Sequence, residues 1–416
     1  MKTKAVRLYG VDDIRLDEFE LPEIKDDEIL VKVVSDSICM STWKTVKQGA
    51  NHKRVPNDVA DHPIIIGHEF AGDIVQVGKK WQDTFQPGQK FAQQPAIPGQ
   101  MESPGYSYAW CGGDTQYCIF PNDIIEAGCL WTFEGDGYFA SSVAEPVSCV
   151  IGGYHTNYHT VPGTYQHVMG TKEGGNIIIL GGCGPMGLGA ISYGLTFENK
   201  PKRIVVTEIN DERINRAREV ISEEEAAAHG VELLYVNTAS MQDQVKELMA
   251  LTDGKGYDDV FVYIPNRAVC EMGNSIMAYD GCMNLFAGPT DMKFSSMINL
   301  YDCHYSRSKI IGSTGGTIDD MKEAIEKEAQ GLIKSAVMIT HVGGLDSVVE
   351  TTKNLPDVPG GKKLVYTHIN MPMTAIDDFE KLGEEDPFFK ELDAVCKKNK
   401  GLWSVEAEKL LLEHFQ

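Results

Sequence analysis

The chain has 416 residues, with 38 Lys plus Arg against 60 Asp plus Glu and a formal net charge of −22. That field repels a phosphate backbone or an anionic membrane surface, which argues against general nucleic-acid binding, and no apolar run reaches the ~18 residues of a helical membrane span. A hydrophobic content of 42% and a charged content of 24% are those of a globular chain, long enough for two domains.

The N-terminus enters a strand at once and has no apolar signal-peptide core. The ten cysteines form no Cys-x-x-Cys pair. The expectation is a cytoplasmic protein whose thiols are free and mostly buried. Short strand-like runs open the chain, at Ala5–Tyr9, Ile14–Leu16 and Glu28–Val34, separated by Pro and Asp, and predict an antiparallel, barrel-like region. Ser37–Trp43 follows, then a predicted loop to about His62. This loop holds Lys44, Lys47, His52, Lys53 and Arg54, and no Asp or Glu lies between Ser37 and Asn57. In an acidic chain such a patch is either a solvated loop or a receptor for an anionic group such as phosphate.

Pro63-Ile64-Ile65-Ile66-Gly67-His68-Glu69 reads as a buried strand that releases a histidine and a carboxylate at a rigid end. Further β runs are predicted at Asp73–Gly78, Phe85–Phe91 and Gly112–Tyr117, with an irregular stretch at 93–110. A helix is predicted from Ala144 to about Tyr158. Strands at Asn176–Leu180, Arg203–Glu208, Tyr235–Val236, Val260–Tyr263 and Cys282–Gly288 then alternate with helices near 190–197, 211–228, 241–251 and 267–278, the pattern of a parallel sheet covered on both faces. After residue 310 come a helix (319–334), strands at Val337–Val342 and Lys363–Tyr366, and an acidic tail. The tail's apolar residues (Phe379, Leu382, Phe388, Phe389, Leu392, Val395) predict helices folded against the body.

Two constellations carry chemistry. Gly182-x-Gly184-x-x-Gly187, with Pro185 and Met186 inside it, follows a strand and opens a helix. It lets a pyrophosphate approach the backbone at a helix N-terminus. Glu208 ends the next strand, where an acid binds the ribose hydroxyls and repels a 2′-phosphate, so NAD is preferred over NADP. Arg213, one turn later, is the counterargument. Cys39, His68, Glu69 and Glu145 make a thiolate, imidazole and carboxylate set of the kind that holds a catalytic zinc. Read singly, Cys39 is a buried thiol and Glu145, before Pro146, a helix-start carboxylate.

At these residues the chain resembles the zinc-dependent medium-chain dehydrogenase/reductase family, the alcohol and polyol dehydrogenases, over roughly residues 1–370. The carriers are Ile38-Cys39-Met40-Ser41, Gly67-His68-Glu69-x-x-Gly72, Pro87-Gly88, Gly112-Gly113, Glu145-Pro146 and the glycine loop. The resemblance implies Cys39 and His68 as zinc ligands, either Glu69 or Glu145 as the third, and Ser41 as the hydroxyl that relays the alcohol proton. Only Cys111 stands where many members carry a four-cysteine zinc, so one catalytic zinc and no structural zinc is expected. Position 42 is Thr where an Asp is common. The interval from Glu145 to the glycine loop is long, and its His155 and His159 have the i, i+4 spacing of a helical metal pair, although a solvated or interface role is the expected one. Within the family the chain resembles the L-sorbose-1-phosphate reductase-like branch through Ala287-Gly288-Pro289-Thr290, with Ala287 and Gly288 at the cofactor, and through Thr340–Ser347 and the tail.

The fold implied is α/β: a GroES-like β-rich catalytic domain (1–149 and 306–416) and a Rossmann doubly wound parallel sheet (150–305). The implied activity is hydride transfer between NAD(H) and a secondary alcohol or ketone of a sugar or sugar phosphate, with Lys44, Lys53 and Arg54 at the phosphate. An unphosphorylated polyol or secondary-alcohol dehydrogenase, or a catalytically inactive NAD-binding protein, are the alternatives. A homo-oligomer, dimer or tetramer, is expected.

Overall fold

Ile29–Ile38 is a strand whose residues are buried at every position except Lys32. Six of its ten residues are Val, Ile or Leu and fit a pleated surface covered on both sides. It is central to an eight-stranded sheet. Thr374–Ala375, Ile339–Gly344, Lys362–Tyr366, Ile29–Ile38, Phe70–Val77, Lys90–Gln93 and Leu130–Phe133 lie in that order, and Tyr117–Phe120 also pairs with Ile29–Ile38. Lys362–Tyr366 and Phe70–Val77 run antiparallel to it on either side, with Ile38 opposite Lys363 and Asp36 opposite Phe70. The end of the central strand therefore meets the beginnings of both neighbours, and Cys39, His68-Glu69 and Lys362 gather at one end of the sheet.

The computed structural model describes residues 1–415. The first of two units comprises Met1–Glu145 and the chain from Ser335 onward. A second, three-stranded sheet in it pairs Asp13–Glu20 with Lys2–Gly10 and the latter with Ile64–Ile65. Val6, Leu8, Ile38, Ile64, Ile66 and Val365 fill one core of this unit. The segment expected as a loop after Trp43 begins instead as a helix, Met40–Gln48. Its residues Thr42, Thr45 and Val46 are buried, and it stops where Gly49 turns to φ +51. The tail forms helices Phe379–Leu382, Pro387–Lys398 and Val405–His414, with Phe379, Phe388, Leu392, Val395 and Leu411 buried. Its apolar spacing predicted this packing.

The second unit, Pro146–Lys334, is built on six parallel strands in the order Glu232–Asn237, Arg203–Glu208, Asn176–Leu180, Tyr257–Val262, Met277–Leu285 and Lys309–Gly312. This is the doubly wound order of a dinucleotide-binding sheet, reversing direction beside the first strand. The unit runs to Lys334 rather than 305. The reason is that Lys309–Gly312 adds to the open edge of the parallel sheet, and helix Ile318–Ala329, fixed by a Thr317/Asp320 capping box, follows it. Among the described residues no helix is long and apolar enough to cross a membrane.

His155 and His159 do not form a helical pair. The helix Ala144–Thr156 ends between them, and His159 lies in the strand Tyr158–Thr160. His159 Nε2 is 3.1 Å from Asp259 Oδ1, whereas His155 Nδ1 is 2.7 Å from Asp320 Oδ1. The Asp320 hydrogen bond raises the His155 pKa above its ordinary value, against the pull of burial, and Glu323, Asp320 and Glu198 add to the rise. A histidine with a raised folded-state pKa stabilises the fold fully below its unfolded pKa and loses that contribution as pH climbs through the raised value. His155→Gln should therefore lower Tm more at about pH 6 than at about pH 8.5. Thermal melts at the two pH values measure this, and an equal drop at both would refute the pairing.

Candidate active site

Cys39 is the first residue after the central strand and the N-cap of helix Met40–Gln48, so its thiol is set by the strand on one side and the helix on the other. His68 and Glu69 precede Phe70, the first residue of the neighbouring strand. Ser37 N–H donates to the Glu69 carbonyl at 3.1 Å, and Gln93 Nε2 donates to the His68 carbonyl at 2.7 Å. Gly67 must be glycine: it has φ +86, and a Cβ there would lie 2.1 Å from Asp36 Oδ2.

Cys39, His68 and Glu69 offer ligand atoms that all lie within 4.8 Å of one another, and they are the one such group of three or more among the described residues. The Ser41 hydroxyl donates to Cys39 Sγ at 2.9 Å and lies 3.2 Å from His68 Nε2. Thr42 Oγ1 is 3.2 Å from His68 Nδ1. Thr42 thus stands where an acid is common: in the tautomer whose Nδ1–H donates to its hydroxyl, Nε2 keeps the lone pair that a metal needs. Burial pushes the His68 pKa down to about 4, which keeps the imidazole neutral. It pushes the Cys39 thiol up to about 12, partly opposed by the Lys362 charge. A sulfur, an imidazole nitrogen and carboxylate oxygens converging in a dry site fit a zinc ion, whose charge would favour the thiolate.

Glu69 is fully buried and ion-pairs with Lys362, itself only 7% exposed. Lys362 Nζ donates to both carboxylate oxygens, and the Ser37 hydroxyl donates to Oε2. Burial alone would raise the Glu69 pKa. The Lys362 charge, His68 and these hydrogen bonds outweigh it and hold the carboxylate below its ordinary range. Beneath this pair, Asp36 Oδ1 accepts from the backbone N–H of Ser37 at 2.7 Å and of Glu69 at 3.1 Å. Glu145 stands outside the tight three-donor group, but its charge acts on both Cys39 and Lys362.

Tyr106, buried, brings its hydroxyl to 3.2 Å from His68 Nε2. Arg54 lies over the Tyr106 ring at 5.3 Å and donates to Ser103 Oγ at 3.3 Å, and His52 stacks on the same ring at 5.7 Å. Of the basic residues singled out in the sequence, Arg54 is the one that reaches the site in this way. Lys53 is exposed, Lys44 is half-buried, and Lys47 pairs with Asp12 at 2.7 Å.

In the second unit the glycine loop joins strand Asn176–Leu180 to helix Pro185–Gly194, with Gly184 as N-cap and Pro185 at the helix start. A Cβ on Gly187 would fall 2.2 Å from the Gly182 carbonyl, so this helix can approach its strand only with glycine there. Gly184 faces open space, and Met186 is half-buried. Glu208 ends the adjacent strand, is 5% exposed, and lies 3.8 Å from Arg213 Nη1. Ala287 follows strand Met277–Leu285 and donates to the Val262 carbonyl at 3.0 Å, and Gly288 beside it is exposed.

Sequence reasoning missed Lys362, Tyr106 and Asp36, and read Thr42 only as a departure from the family. A signal existed for Lys362, since two lysines open the otherwise apolar run Lys362-Lys363-Leu364-Val365-Tyr366. It existed for Asp36 too, a carboxylate inside a strand of apolar and small residues. Tyr106 came from an irregular stretch with no pattern to read.

Residues 25–169 match the description "Alcohol dehydrogenase GroES-like domain", and residues 185–330 match "Zinc-binding dehydrogenase". The chain is 48% identical over 416 residues to mannitol-1-phosphate 5-dehydrogenase of Aliivibrio fischeri, covering 100% of this chain and 98% of that protein. It is 46% identical over 415 residues to L-sorbose 1-phosphate reductase of Klebsiella pneumoniae, covering 99% and 98%. Among solved structures, 2R,3R-butanediol dehydrogenase from Bacillus subtilis shares the fold, with a TM-score of 0.70, 20% identity, and coverage of 88% of this chain and 99% of that one.

Removing Lys362 leaves a buried carboxylate without its counter-charge, a change that costs about 3–5 kcal/mol in such pairs. Lys362→Met should therefore destabilise the protein strongly in urea unfolding, and adding Glu69→Gln should restore part of the loss. Additive losses in the double variant would show that the two side chains do not depend on each other.

Proposed function

This chain belongs to the zinc-binding dehydrogenase family and is a zinc-dependent dehydrogenase, and we propose on that footing that it interconverts a sugar-phosphate ketone and the matching secondary alcohol with NAD(H). The observation that carries the substrate class is Arg54. Its guanidinium sits one aromatic ring away from His68, with Tyr106 between them. In a chain with 60 acidic residues, none of the described ones pairs with it. A planar cation left open beside a metal-site histidine is suited to a phosphate. The phosphorylated sugars in the names of the two relatives near half identity support the same class.

Cys39, His68 and Glu145 hold one zinc ion in this reading. Glu69 has already given both oxygens to Lys362, and one of them also to Ser37, so it acts as the neighbouring carboxylate that sets the local charge. When bound, the ion supplies a Lewis acid for the substrate oxygen. Ser41, hydrogen-bonded to Cys39, carries the hydroxyl proton. Tyr106 closes the side of the site toward Arg54 and excludes water from it. The glycine loop, with Ala287 and Gly288, receives the dinucleotide, and the hydride step itself is the cofactor's chemistry. Glu208 repels a 2′-phosphate and draws Arg213 to itself, which supports NAD over NADP.

Cys39→Ser should lose bound zinc and turnover while NADH binding survives. Normal turnover in the metal-free variant would sink the ligand assignment. Arg54→Ala should raise KM for a phosphorylated ketose about 10- to 100-fold, the size expected for losing a charge-assisted hydrogen bond, and leave its unphosphorylated analogue nearly unchanged. Lys53→Ala, at an exposed position, should change neither. Equal effects of Arg54→Ala on both substrates would favour an unphosphorylated polyol.

A further inference from the structure

Residues beyond 370 lie outside both family matches, yet they contribute a charged group to the interior of the first unit. Glu408, in the helix Val405–His414, is 2% exposed. Its carboxylate accepts from the backbone N–H of Tyr138 at 2.7 Å and of Phe139 at 2.8 Å, and from the Tyr366 hydroxyl at 2.7 Å. Trp403 Nε1, also from the tail, donates to the same Tyr366 oxygen at 2.9 Å. A Cβ on Gly137 would lie 2.7 Å from Glu408 Oε2, so the chain before Tyr138 is shaped around this carboxylate. Burying a carboxylate is costly unless hydrogen bonds replace its water, and here three donors do so.

What Glu408 holds is specific. Tyr138 and Phe139 begin the short helix Phe139–Ser142, which passes through Val143 directly into the helix Ala144–Thr156 that carries Glu145. The far end of the short helix is pinned by Ser35 Oγ, 2.6 Å from Ser142 Oγ, on the strand that ends before Cys39. Tyr138 donates its own hydroxyl to Asp73 Oδ1 at 2.9 Å, on the strand that follows Glu69. Tyr366 ends the strand that Lys362 begins. The Glu408 carboxylate therefore ties together the two segments that bring Glu145 and Lys362 to the site.

We propose that the C-terminal segment is a positioning element of the metal site, in which Glu408 fixes the turn before Glu145 and so sets where that carboxylate meets the metal. The inference rests on the reading of Glu145 as a ligand. Supports of this kind are needed because a misplacement of about 1 Å costs a ligand or a catalytic group much of its effect. Glu408→Gln keeps the shape but presents an amide N–H where an N–H donor now finds an oxygen, so the turn must shift.

The test uses the full-length protein loaded with Co²⁺ in place of zinc, whose visible ligand-field bands report the geometry of the donors. Four forms are compared: wild type, Glu408→Gln, Glu145→Gln, and Leu411→Ala, which loosens the same tail helix at a fully buried apolar position without touching the carboxylate. The expected result is that Glu408→Gln still melts cooperatively and binds NADH normally. Its cobalt bands should shift in the direction of Glu145→Gln, and its metal affinity should fall about 10- to 100-fold, as for other outer-shell partners of metal ligands. Leu411→Ala should lower Tm with unchanged bands. Wild-type bands and affinity in Glu408→Gln, or the same band shift in Leu411→Ala, would overturn the positioning role. Unchanged bands in Glu145→Gln would instead remove the ligand reading, and the proposal with it.

Discussion

Two opposite charges cut off from water, Lys362 and Glu69, meet at the end of the eight-stranded sheet, and the polar chemistry of the first unit is arranged around that pair. Neither charge is tolerable alone in such a place, because the desolvation of one is offset only by the other and by well-aimed hydrogen bonds. Strand order makes the meeting possible. Lys362 and Glu69 sit at the starts of the two strands that flank the end of Ile29–Ile38, and Cys39 is the next residue along that strand. The ion pair, the candidate thiolate and the candidate imidazole are thus held by three adjacent strands, and none of them depends on a long loop for its position.

The two glutamates near this end of the sheet have different partners. Glu69 is saturated by an ammonium and a hydroxyl, while Glu145 comes in on a helix whose approach is governed by a separate set of hydrogen bonds. Glu69 belongs to the three-donor group with Cys39 and His68, whereas Glu145 stands outside it. Burial keeps His68 neutral, and Thr42 Oγ1 lies beside its Nδ1. Arg54 lies a ring's width away, over the Tyr106 ring that packs against His68.

The parallel sheet of the second unit follows a different logic. Its central strands Asn176–Leu180, Arg203–Glu208 and Tyr257–Val262 are largely buried, its turns are glycine-rich, and one acid, Glu208, ends a strand. A local pattern encodes such a site almost completely. The glycine loop, Glu208 and the alternation of strand and helix were readable for that reason, since each is a statement about residues within a few positions of one another. The same holds for Cys39-x-Ser41 and Gly67-His68-Glu69, and for the amphipathic tail.

Some features depend on which distant segments become neighbours, and these were not readable. Lys362 is 293 residues from Glu69, and Glu408 is 270 from Tyr138. No spacing rule links them, because their proximity is produced by strand order and not by periodicity. The helix Met40–Gln48 looked like a loop because its apolar stripe is short and its polar residues are many, and only packing against the core turns Thr42, Thr45 and Val46 inward. The i, i+4 spacing of His155 and His159 could not show that the helix stops between them, because spacing is silent about where a helix ends. The sequence by itself determined the two kinds of domain, the glycine-rich turn from strand to helix and the donor types that gather at the end of the eight-stranded sheet, since these rest on local steric and hydrogen-bonding rules. The tertiary structure alone decided which carboxylate is neutralised, which basic residue faces the site and what the tail holds in place, since those are set by long-range contacts whose energies come from burial.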